Sequence, residues 1–342
     1  MEYLDVNAYF SEEPDIPLID VRSPAEYHHG HISGSLNIPI FSDDERAQVG
    51  ITYKQKGRVD AIEKGLELVG PKLKILAKQG KKLAKLNKLK VYCWRGGMRS
   101  EKMSWLFELV GIKCFVLKGG YKAYRNLLLE DFKQIKKLMI FQGSTGTGKT
   151  EILRKMQEMG EQVLDLEKLA NHRGSAFGDI GMDAQPTSQQ FQNDLHARLK
   201  SMDPEKRIWI ESESLTIGKV YLPESLWERM NNSSIVELII PREKRVKRLV
   251  EEYGSFEKEI LEKATKKIEK RFGGNNVKQV INYLNDDDLY NAASLLLKYY
   301  DKSYTFSQAK YKNLKPVVIK SESGKAIDNA QLIIKKVIDL NL

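Results

Sequence analysis

A glycine-rich segment near the middle of the chain has the composition of a phosphate-binding loop. Its residues are Gly143, Ser144, Thr145, Gly146, Thr147, Gly148, Lys149 and Thr150. They fit G-x-x-x-x-G-K-[ST], a pattern in which glycines let backbone N–H groups point at phosphate oxygens. We expect Lys149 to reach the phosphates and Thr150 to contact a metal ion such as Mg²⁺. A diphosphate group satisfies such a loop, so the pattern leaves open whether ATP binds there.

Acidic residues that could share a metal ion with this loop follow two apolar segments. Glu211 comes directly after Ile208–Ile210, and Glu213 stands two residues later. Asp165 closes the apolar pair Val163-Leu164. Each of these carboxylates is a candidate for the metal or phosphate surroundings, and the alternative is an ordinary polar strand end.

Cationic residues that could meet a phosphate occur in two further segments. Arg242, Arg245 and Arg248 follow an apolar segment at three-residue spacing, which favours one helix face. Small-molecule P-loop kinases place arginines over the transferred phosphate in a similar segment. His172 and Arg173 lie in a polar loop that contains glycine, and such loops often carry binding groups. The alternative for these side chains is a solvated surface.

A second candidate site surrounds one of the two cysteines. Cys93 ends an apolar segment, and Arg95, two glycines and Arg99 follow it. Loop N–H groups, a helix N-terminus and two arginines would stabilise a thiolate and attract an anionic substrate. This pattern is typical of a nucleophile. Cys114 begins an apolar strand and is expected in the core.

The elements that must position these residues alternate between strands and helices. Strands are expected at 17–21, 89–92, 114–117, 138–141, 162–164, 208–210, 235–240 and 316–319. Helical patterns lie between them, and this alternation predicts parallel sheets. A polar connector places a boundary near residue 133. The predicted fold is therefore two α/β domains, 1–132 and 133–342, the second being P-loop NTPase-like with a helical insertion at about 243–302.

Composition excludes several classes of protein. The chain has 342 residues, of which 41% are hydrophobic, too many for a disordered chain. No apolar run is long enough to span a membrane, and two cysteines cannot build a disulfide framework or a four-cysteine zinc site. The first residues are acidic and lack a signal-peptide pattern, so a reducing, cytoplasmic setting is expected.

The net charge of +10 favours an anionic partner, either nucleic acid or phosphorylated small molecules. One basic segment spans 242–271. The lysines of another run are Lys72, Lys74, Lys78, Lys81, Lys82, Lys85, Lys88 and Lys90. These segments predict salt-dependent binding of a nucleic acid, and the alternative is a solvated helix.

The first third of the chain resembles the rhodanese family. The segments 18–27, LIDVRSPAEY, and 30–39, GHISGSLNIP, carry the resemblance together with the Cys93 loop and the Gly-Gly-Tyr at 119–121. The pattern covers about residues 5–130 and implies structural roles for Asp20 and His31. Five residues separate Cys93 from Arg99, one more than in ordinary sulfurtransferases. This length suits a tetrahedral oxyanion and also occurs in rhodanese-like phosphatases.

Together with the phosphate-binding loop and the segment 169–175, the order of domains resembles the tRNA 2-selenouridine synthase family over essentially the whole chain. The resemblance implies a transferase that replaces sulfur by selenium in 2-thiouridine at the tRNA wobble position. Selenophosphate would supply selenium, and geranyl diphosphate would form an S-geranyl-2-thiouridine intermediate. Cys93 would handle the selenium, either as a Cys–Se–H adduct or by orienting selenophosphate. The binding of ATP in addition stays open.

Three alternatives remain at this point. One is an ATP-dependent tRNA sulfurtransferase, or a kinase, fused to a rhodanese domain. Another is a rhodanese-like phosphatase fused to a P-loop kinase-like domain, although Tyr92 stands where such phosphatases usually have histidine. The last is an RNA-binding module with an inactive rhodanese domain, which the intact Cys93 disfavours.

Overall fold

A computed structural model describes the backbone of residues 1–308 and 315–342, and the side chains of residues 1–302 and 315–342. The chain divides into two compact units, 1–131 and 132–342. Each unit contains one five-stranded parallel sheet with helices around it. The predicted fold class, two α/β domains of which the second carries a helical insertion, is confirmed.

The N-terminal unit is built on a sheet in the order β1-β5-β4-β2-β3, and every neighbouring pair is parallel. Its strands are β1 (Glu2–Leu4), β2 (Leu18–Asp20), β3 (Leu36–Asn37), β4 (Lys88–Tyr92) and β5 (Lys113–Leu117). Its helices are α1 (Val6–Ser11), α2 (Pro24–His29), α3 (Asp43–Lys56), α4 (Arg58–Val69), α5 (Leu73–Leu83), α6 (Met98–Leu109) and α7 (Gly120–Lys133). The central strand β4 thus ends directly before Cys93.

Local sequence explains where the first helices begin. Ser23 caps α2, its side chain and that of Glu26 each accept a backbone N–H of the other, and Pro24 occupies the first helical position. Behind the sheet, Val91 and Phe107 are fully buried in the core, and so is Cys114, as expected. The packing of β4 and α6 in this core therefore fixes the two ends of the loop that connects them.

The C-terminal unit has a sheet in the order β12-β11-β6-β8-β7, also parallel throughout. Its strands are β6 (Leu138–Gln142), β7 (Gln162–Leu164), β8 (Ile208–Glu211), β11 (Ser234–Ile239) and β12 (Val317–Lys320), and β9 (Thr216–Ile217) pairs with β10 (Val220–Tyr221) in a small antiparallel hairpin. Its helices are α8 (Lys149–Glu158), α9 (Leu166–Ala170), α10 (Ser188–Lys200), α11 (Glu224–Asn231), α12 (Arg242–Tyr253), α13 (Lys258–Lys267), α14 (Glu269–Phe272), α15 (Gly274–Asn285), α16 (Leu289–Gln308) and α17 (Ala326–Asp339).

Burial on both faces explains the apolar character of the central strands of this sheet. All five residues of β6 and all four of β8 are buried, as expected for a parallel sheet covered by helices. Phe141, Trp209 and Ile333 share its core. The helices α12–α16 lie between β11 and β12 in the chain and pack a separate core around residues such as Leu261 and Val280. Both anion-loop candidates thus follow buried parallel strands.

Within residues 1–308 and 315–342, no helix combines the length and the apolar character needed to cross a membrane.

Candidate functional site

Cys93 stands at the carboxyl end of β4, in the loop of residues 93–99 that leads into α6. Its side chain is 3% exposed, and its Sγ lies 3.2 Å from the hydroxyl of Ser100 and 3.8 Å from the carbonyl of Gly97. The hydroxyl of Ser100 lies 2.9 Å from the same carbonyl. The Ser100 hydroxyl donates its one proton to this carbonyl, so it can donate to a thiolate at Cys93 only by rotating away from Gly97.

A pair of close glycine contacts fixes the backbone of the Cys93 loop. Gly96 and Gly120 have left-handed φ angles of +64° and +58°. A Cβ at Gly120 would lie 2.3 Å from the carbonyl oxygen of Cys93, and a Cβ at Gly96 would lie 2.4 Å from that of Leu117. The N–H of Tyr121 donates to the carbonyl of Cys93 at 2.8 Å. The Gly-Gly-Tyr segment therefore supports the loop from the start of α7.

The two arginines of the Cys93 loop differ in their surroundings. The guanidinium of Arg99 forms a two-pronged ion pair with the carboxylate of Glu26, at 2.5 and 3.2 Å. Burial disfavours the ionised form of Glu26, but the hydrogen bonds and charge of Arg99 prevail and lower its pKa. Arg95 is exposed to solvent. An incoming anion would therefore compete with Glu26 for Arg99 while Arg95 stays available.

Asp20 and His31, to which the rhodanese resemblance assigns structural roles, make local contacts. Asp20 and Arg22 form a fully buried ion pair at 2.6 Å, and the Arg22 guanidinium lies 4.1 Å from the centre of the Tyr121 ring. The ring of His31 stacks on that of Tyr27 at 3.8 Å. The Asp20–Arg22 pair thus connects the end of β2 to α7, and the ring stack connects α2 to the loop that follows it.

The P-loop, residues 143–150, connects β6 to α8. The ammonium of Lys149 donates to the carbonyl of Gly143 at 2.9 Å, and the hydroxyl of Thr147 donates to that of Ser144. Gly146 and Gly148 have left-handed φ angles, +78° and +80°, so glycine is required at both turns. The loop wraps around its own lysine at the N-terminus of α8, which is the geometry expected for binding phosphate oxygens.

Four carboxylates lie near the P-loop, those of Asp165, Glu167, Glu211 and Glu213. The sequence analysis did not identify Glu167. Glu167, in α9, accepts a hydrogen bond from the hydroxyl of Thr150 at 2.7 Å. Glu211 is fully buried; one of its oxygens accepts the N–H of Leu166, and the other has no hydrogen-bond partner. Asp165 caps α9 through the N–H of Lys168. Glu167 follows Asp165 by two residues, and that spacing is the one signal that could have found it.

Crowding of these carboxylates raises two pKa values. Burial, then the charges of Asp165 and Glu167, raise the pKa of Glu211 well above its ordinary value. For Glu213, burial and the charge of Glu167 outweigh the opposing charge of Lys149 and raise the pKa to about 7. Added positive charge, from a metal ion or a ligand complex, would therefore be bound favourably beside this cluster.

Magnesium fits the donor set better than zinc does. The hydroxyl of Thr150 and the carboxylate of Glu167 are hard oxygen ligands, and the unpaired oxygen of Glu211 is a further acceptor nearby in the cluster. In the part of the chain that the structure describes, no group of three or more histidine, cysteine, aspartate and glutamate side chains could hold a metal. A magnesium ion here would thus need ligand phosphates to complete its coordination.

The three arginines of α12 lie in three different environments. Arg245 is buried; it donates to the carbonyl of Thr145 at 3.1 Å and pairs with Asp301 of α16 at 2.7 and 2.8 Å. Arg248 covers the P-loop glycine Gly148, where a Cβ would lie 2.5 Å from its guanidinium carbon. The exposed Arg242 donates to the carbonyl of Ser294. Arg245 and Arg248 therefore contact the P-loop, whereas the described contact of Arg242 is with α16.

His172 and Arg173 support the loop of residues 171–178. The Nδ1 atom of His172 accepts the N–H of Gly174 at 3.1 Å, and burial lowers the pKa of this imidazole. Arg173 lies 3.4 Å from the carboxylate of Glu252. A Cβ at Gly174 would lie 2.8 Å from the carboxylate of Glu213, so this loop passes beside the acidic cluster.

Comparisons with known proteins match both units. A family model described as the AAA domain of tRNA 2-selenouridine synthase covers residues 136–332, and one described as a rhodanese-like domain covers residues 5–127. The relative named tRNA 2-selenouridine synthase in Nitrosomonas europaea is 38% identical over 70% of this chain and 64% of its own length. Relatives of the same name are 35% identical in Sulfurovum sp. NBC37-1 and 33% in Shewanella denitrificans, each over 85% of this chain and 88% of the relative. The chain belongs to the tRNA 2-selenouridine synthase family.

Proposed function

We propose that this protein replaces the sulfur of 2-thiouridine at the wobble position of tRNA with selenium, through an S-geranyl-2-thiouridine intermediate. Geranyl diphosphate would supply the prenyl group and selenophosphate the selenium. The name of these relatives supports the selenouridine product, and tRNA as the substrate is the reason to place the enzyme in the cytoplasm. It would be a transferase with both selenotransferase and geranyltransferase activity.

The observation that carries this proposal is the presence of two anion-binding loops in two separate compact units. The Cys93 loop offers a sulfur nucleophile with the arginines Arg95 and Arg99. The P-loop offers Lys149, the N-terminus of α8 and, at Thr150 and Glu167, oxygen ligands of the kind that magnesium prefers. The proposed reaction needs two donors, each with a phosphate or diphosphate group, and the chain has two loops that could bind such groups.

In the first step the P-loop would stabilise a leaving group. The sulfur of 2-thiouridine attacks C1 of geranyl diphosphate, the C1–O bond breaks, and the N3 proton of the base is released. Lys149 and the backbone N–H groups would meet the negative charge that grows on the diphosphate. Thr150 and Glu167 would hold Mg²⁺, which when bound neutralises part of that charge.

In the second step the Cys93 loop would hold selenophosphate. Its selenium attacks C2 of the base, the C2–S bond breaks, and geranyl thiol leaves with the proton that the attacking hydrogen selenophosphate gives up. Water then takes the phosphoryl group, which departs as phosphate. The longer loop between Cys93 and Arg99 would accommodate the tetrahedral oxyanion, and Cys93 would orient its selenium toward C2 of the base.

Nucleoside mass spectrometry of tRNA incubated with the full chain, Mg²⁺, geranyl diphosphate and selenophosphate tests both steps. Cys93→Ala is expected to accumulate the geranylated nucleoside, whereas Cys114→Ala, at a cysteine of the core, leaves 2-selenouridine formation intact. Normal 2-selenouridine from Cys93→Ala would remove this cysteine from the mechanism. Wild-type protein that forms no geranylated nucleoside would refute the proposed pathway.

A second comparison separates a diphosphate-binding P-loop from ATP-driven chemistry. Lys149→Ala is expected to reduce geranylation by a hundredfold or more, a loss of roughly 3–4 kcal/mol of transition-state stabilisation. The same variant should still convert tRNA that is already geranylated, because that step involves no diphosphate. Lys155→Ala, on the same helix, is the control. An ATP-dependent sulfurtransferase would lose both steps, and that result would favour the alternative.

A further inference from the structure

An apolar pocket adjoins the P-loop within the C-terminal unit. Thr145 of the P-loop and Ser175 of the loop 171–178 form part of its wall. The rest of the wall comes from the helical region, with leucines of α12, α13, α15 and α16. No mechanism described so far uses this space.

The side chains of the pocket favour a hydrocarbon ligand. Leu249, Leu261, Leu284 and Leu296 contribute aliphatic surface, and the rings of Phe177 and Tyr253 add aromatic surface. The two rings already contact each other edge to face at 6.0 Å. A nucleotide base would need polar groups to read its edges, whereas a branched hydrocarbon gains from this wall simply by leaving water.

Direct contacts keep the pocket in a fixed position relative to the phosphate loop. Arg245 joins three elements, since it donates to the carbonyl of Thr145 from α12 and pairs with Asp301 of α16. The backbone of Gly146 packs against α12, where a Cβ would lie 2.9 Å from the carbonyl of Arg245 and 3.2 Å from Leu249. A ligand anchored by phosphates in the loop would therefore meet the apolar wall at a defined distance.

We propose that this pocket holds the hydrocarbon chain of an allylic prenyl diphosphate whose diphosphate occupies the P-loop. This inference rests on the function proposed above and specifies the part of the protein that selects the chain. The pocket would also exclude water from the allylic carbon while its C–O bond breaks. Phe177 and Tyr253 would face the positive charge that develops there.

Filling the pocket tests the assignment. Ala293 lines it, and Ala293→Phe is expected to weaken geranyl diphosphate binding at least tenfold while inorganic diphosphate binding changes less than twofold. Lys298→Phe, which adds the same ring at an exposed position of α16, is the matched control. Equal weakening of both ligands, or of neither, by Ala293→Phe would overturn the proposal. If ATP competes with geranyl diphosphate and Ala293→Phe weakens the binding of ATP as well, the pocket would hold a nucleoside. That result would also overturn the proposal.

Enlarging the pocket is an independent test that does not depend on how Ala293→Phe folds. Leu296→Ala is expected to raise the use of farnesyl diphosphate relative to geranyl diphosphate several-fold in the tRNA assay. An unchanged ratio would count against the pocket. The proposed function can fail separately from the pocket. It is refuted if the wild-type protein binds geranyl diphosphate no better than inorganic diphosphate and alkylates no tRNA. If wild type is active and the pocket variants behave like it, only the assignment of the pocket is refuted.

Discussion

At the scale of single residues, the hydroxyl of Ser100 lies where it can change the reactivity of the Cys93 sulfur. Its oxygen lies 3.2 Å from Sγ, close enough to donate to a thiolate. Ser100→Ala should therefore slow alkylation of Cys93 by iodoacetamide at pH 7 several-fold, because the thiolate loses a hydrogen-bond donor. Mass spectrometry of the Cys93 peptide measures the rate. Ser104→Ala, a buried serine one turn further along α6, should leave it unchanged, and an equal effect of both changes would contradict this role.

Glu213 predicts a pH dependence of stability in the protein without ligand. Its pKa is raised to about 7 in the folded protein, from an ordinary value of 4.5. The folded state thus prefers the protonated form, so the stabilisation is complete below about pH 4.5 and is lost as pH rises through 7. As pH rises from 5 to 8, the unfolding free energy of Glu213→Gln should therefore increase by about 1–2 kcal/mol relative to that of wild type. This value is reduced for the partial solvent exposure of the side chain.

Urea unfolding at the two pH values measures this gain. The control is Glu228→Gln, which changes an exposed glutamate of α11 and should shift stability equally at both. Equal effects of pH on wild type and Glu213→Gln would show that burial does not protonate this carboxyl.

At the scale of elements, the start of α7 determines the shape of the Cys93 loop. Gly120→Ala places a Cβ 2.3 Å from the Cys93 carbonyl and in a left-handed conformation. We expect it to abolish selenation, to destabilise the N-terminal unit by more than about 2 kcal/mol, and to leave geranylation intact. Thermal unfolding and the tRNA assay measure these effects.

Gly111→Ala separates backbone strain from crowding. Gly111 has a φ of +86°, but its Cβ would meet nothing within 4 Å, so about 1 kcal/mol of destabilisation and normal selenation are expected. Similar losses of selenation in both variants would mean that the close approach to Cys93 is unimportant.

Elements with a strong apolar run were predictable, and those defined by distant partners were not. The strands β4, β5, β6 and β8 fall within one residue of expectation because each is a continuous buried segment. The edge strands β1 and β3 were missed, because Leu4 is their only buried residue and no apolar run marks them. The same holds at the sites: the loops follow from local spacing, whereas Glu26 and Glu167 reach Arg99 and Thr150 only through the fold.

At the scale of the whole molecule, the positive charge is less available than the sequence indicates. Half of the lysine run is engaged with acidic residues or backbone: Lys72 pairs with Glu45, Lys85 with Asp15 and Lys88 with Glu13, and Lys90 donates to the carbonyl of Glu12. The exposed remainder, Lys74, Lys78, Lys81 and Lys82, lies on α5. A tRNA contact through this run would therefore use α5.

The double change Lys78→Glu and Lys82→Glu, one helical turn apart, tests that contact. It should weaken tRNA binding about tenfold at low salt and reduce the slope of log affinity against log salt by about 1–2, since fewer counterions are released. Filter binding at several salt concentrations measures both. The same double reversal at Lys335 and Lys336 of α17 is the control, and equal slopes for the two would make α5 an ordinary solvated helix.

The hydrogen bonds inside the P-loop have a kinetic consequence for the proposed reaction. Lys149 donates to Gly143 and Thr150 to Glu167, so the most polar groups of the loop are already satisfied by their own chain. The diphosphate proposed as the ligand of this loop would have to exchange these partners for its own oxygens, so its affinity would be the difference between two sets of bonds. When the reaction ends, the same internal partners stand ready to replace the product. Under the proposed function, the loop would hold the leaving group strongly while charge develops and still release it quickly, which would favour turnover over product inhibition.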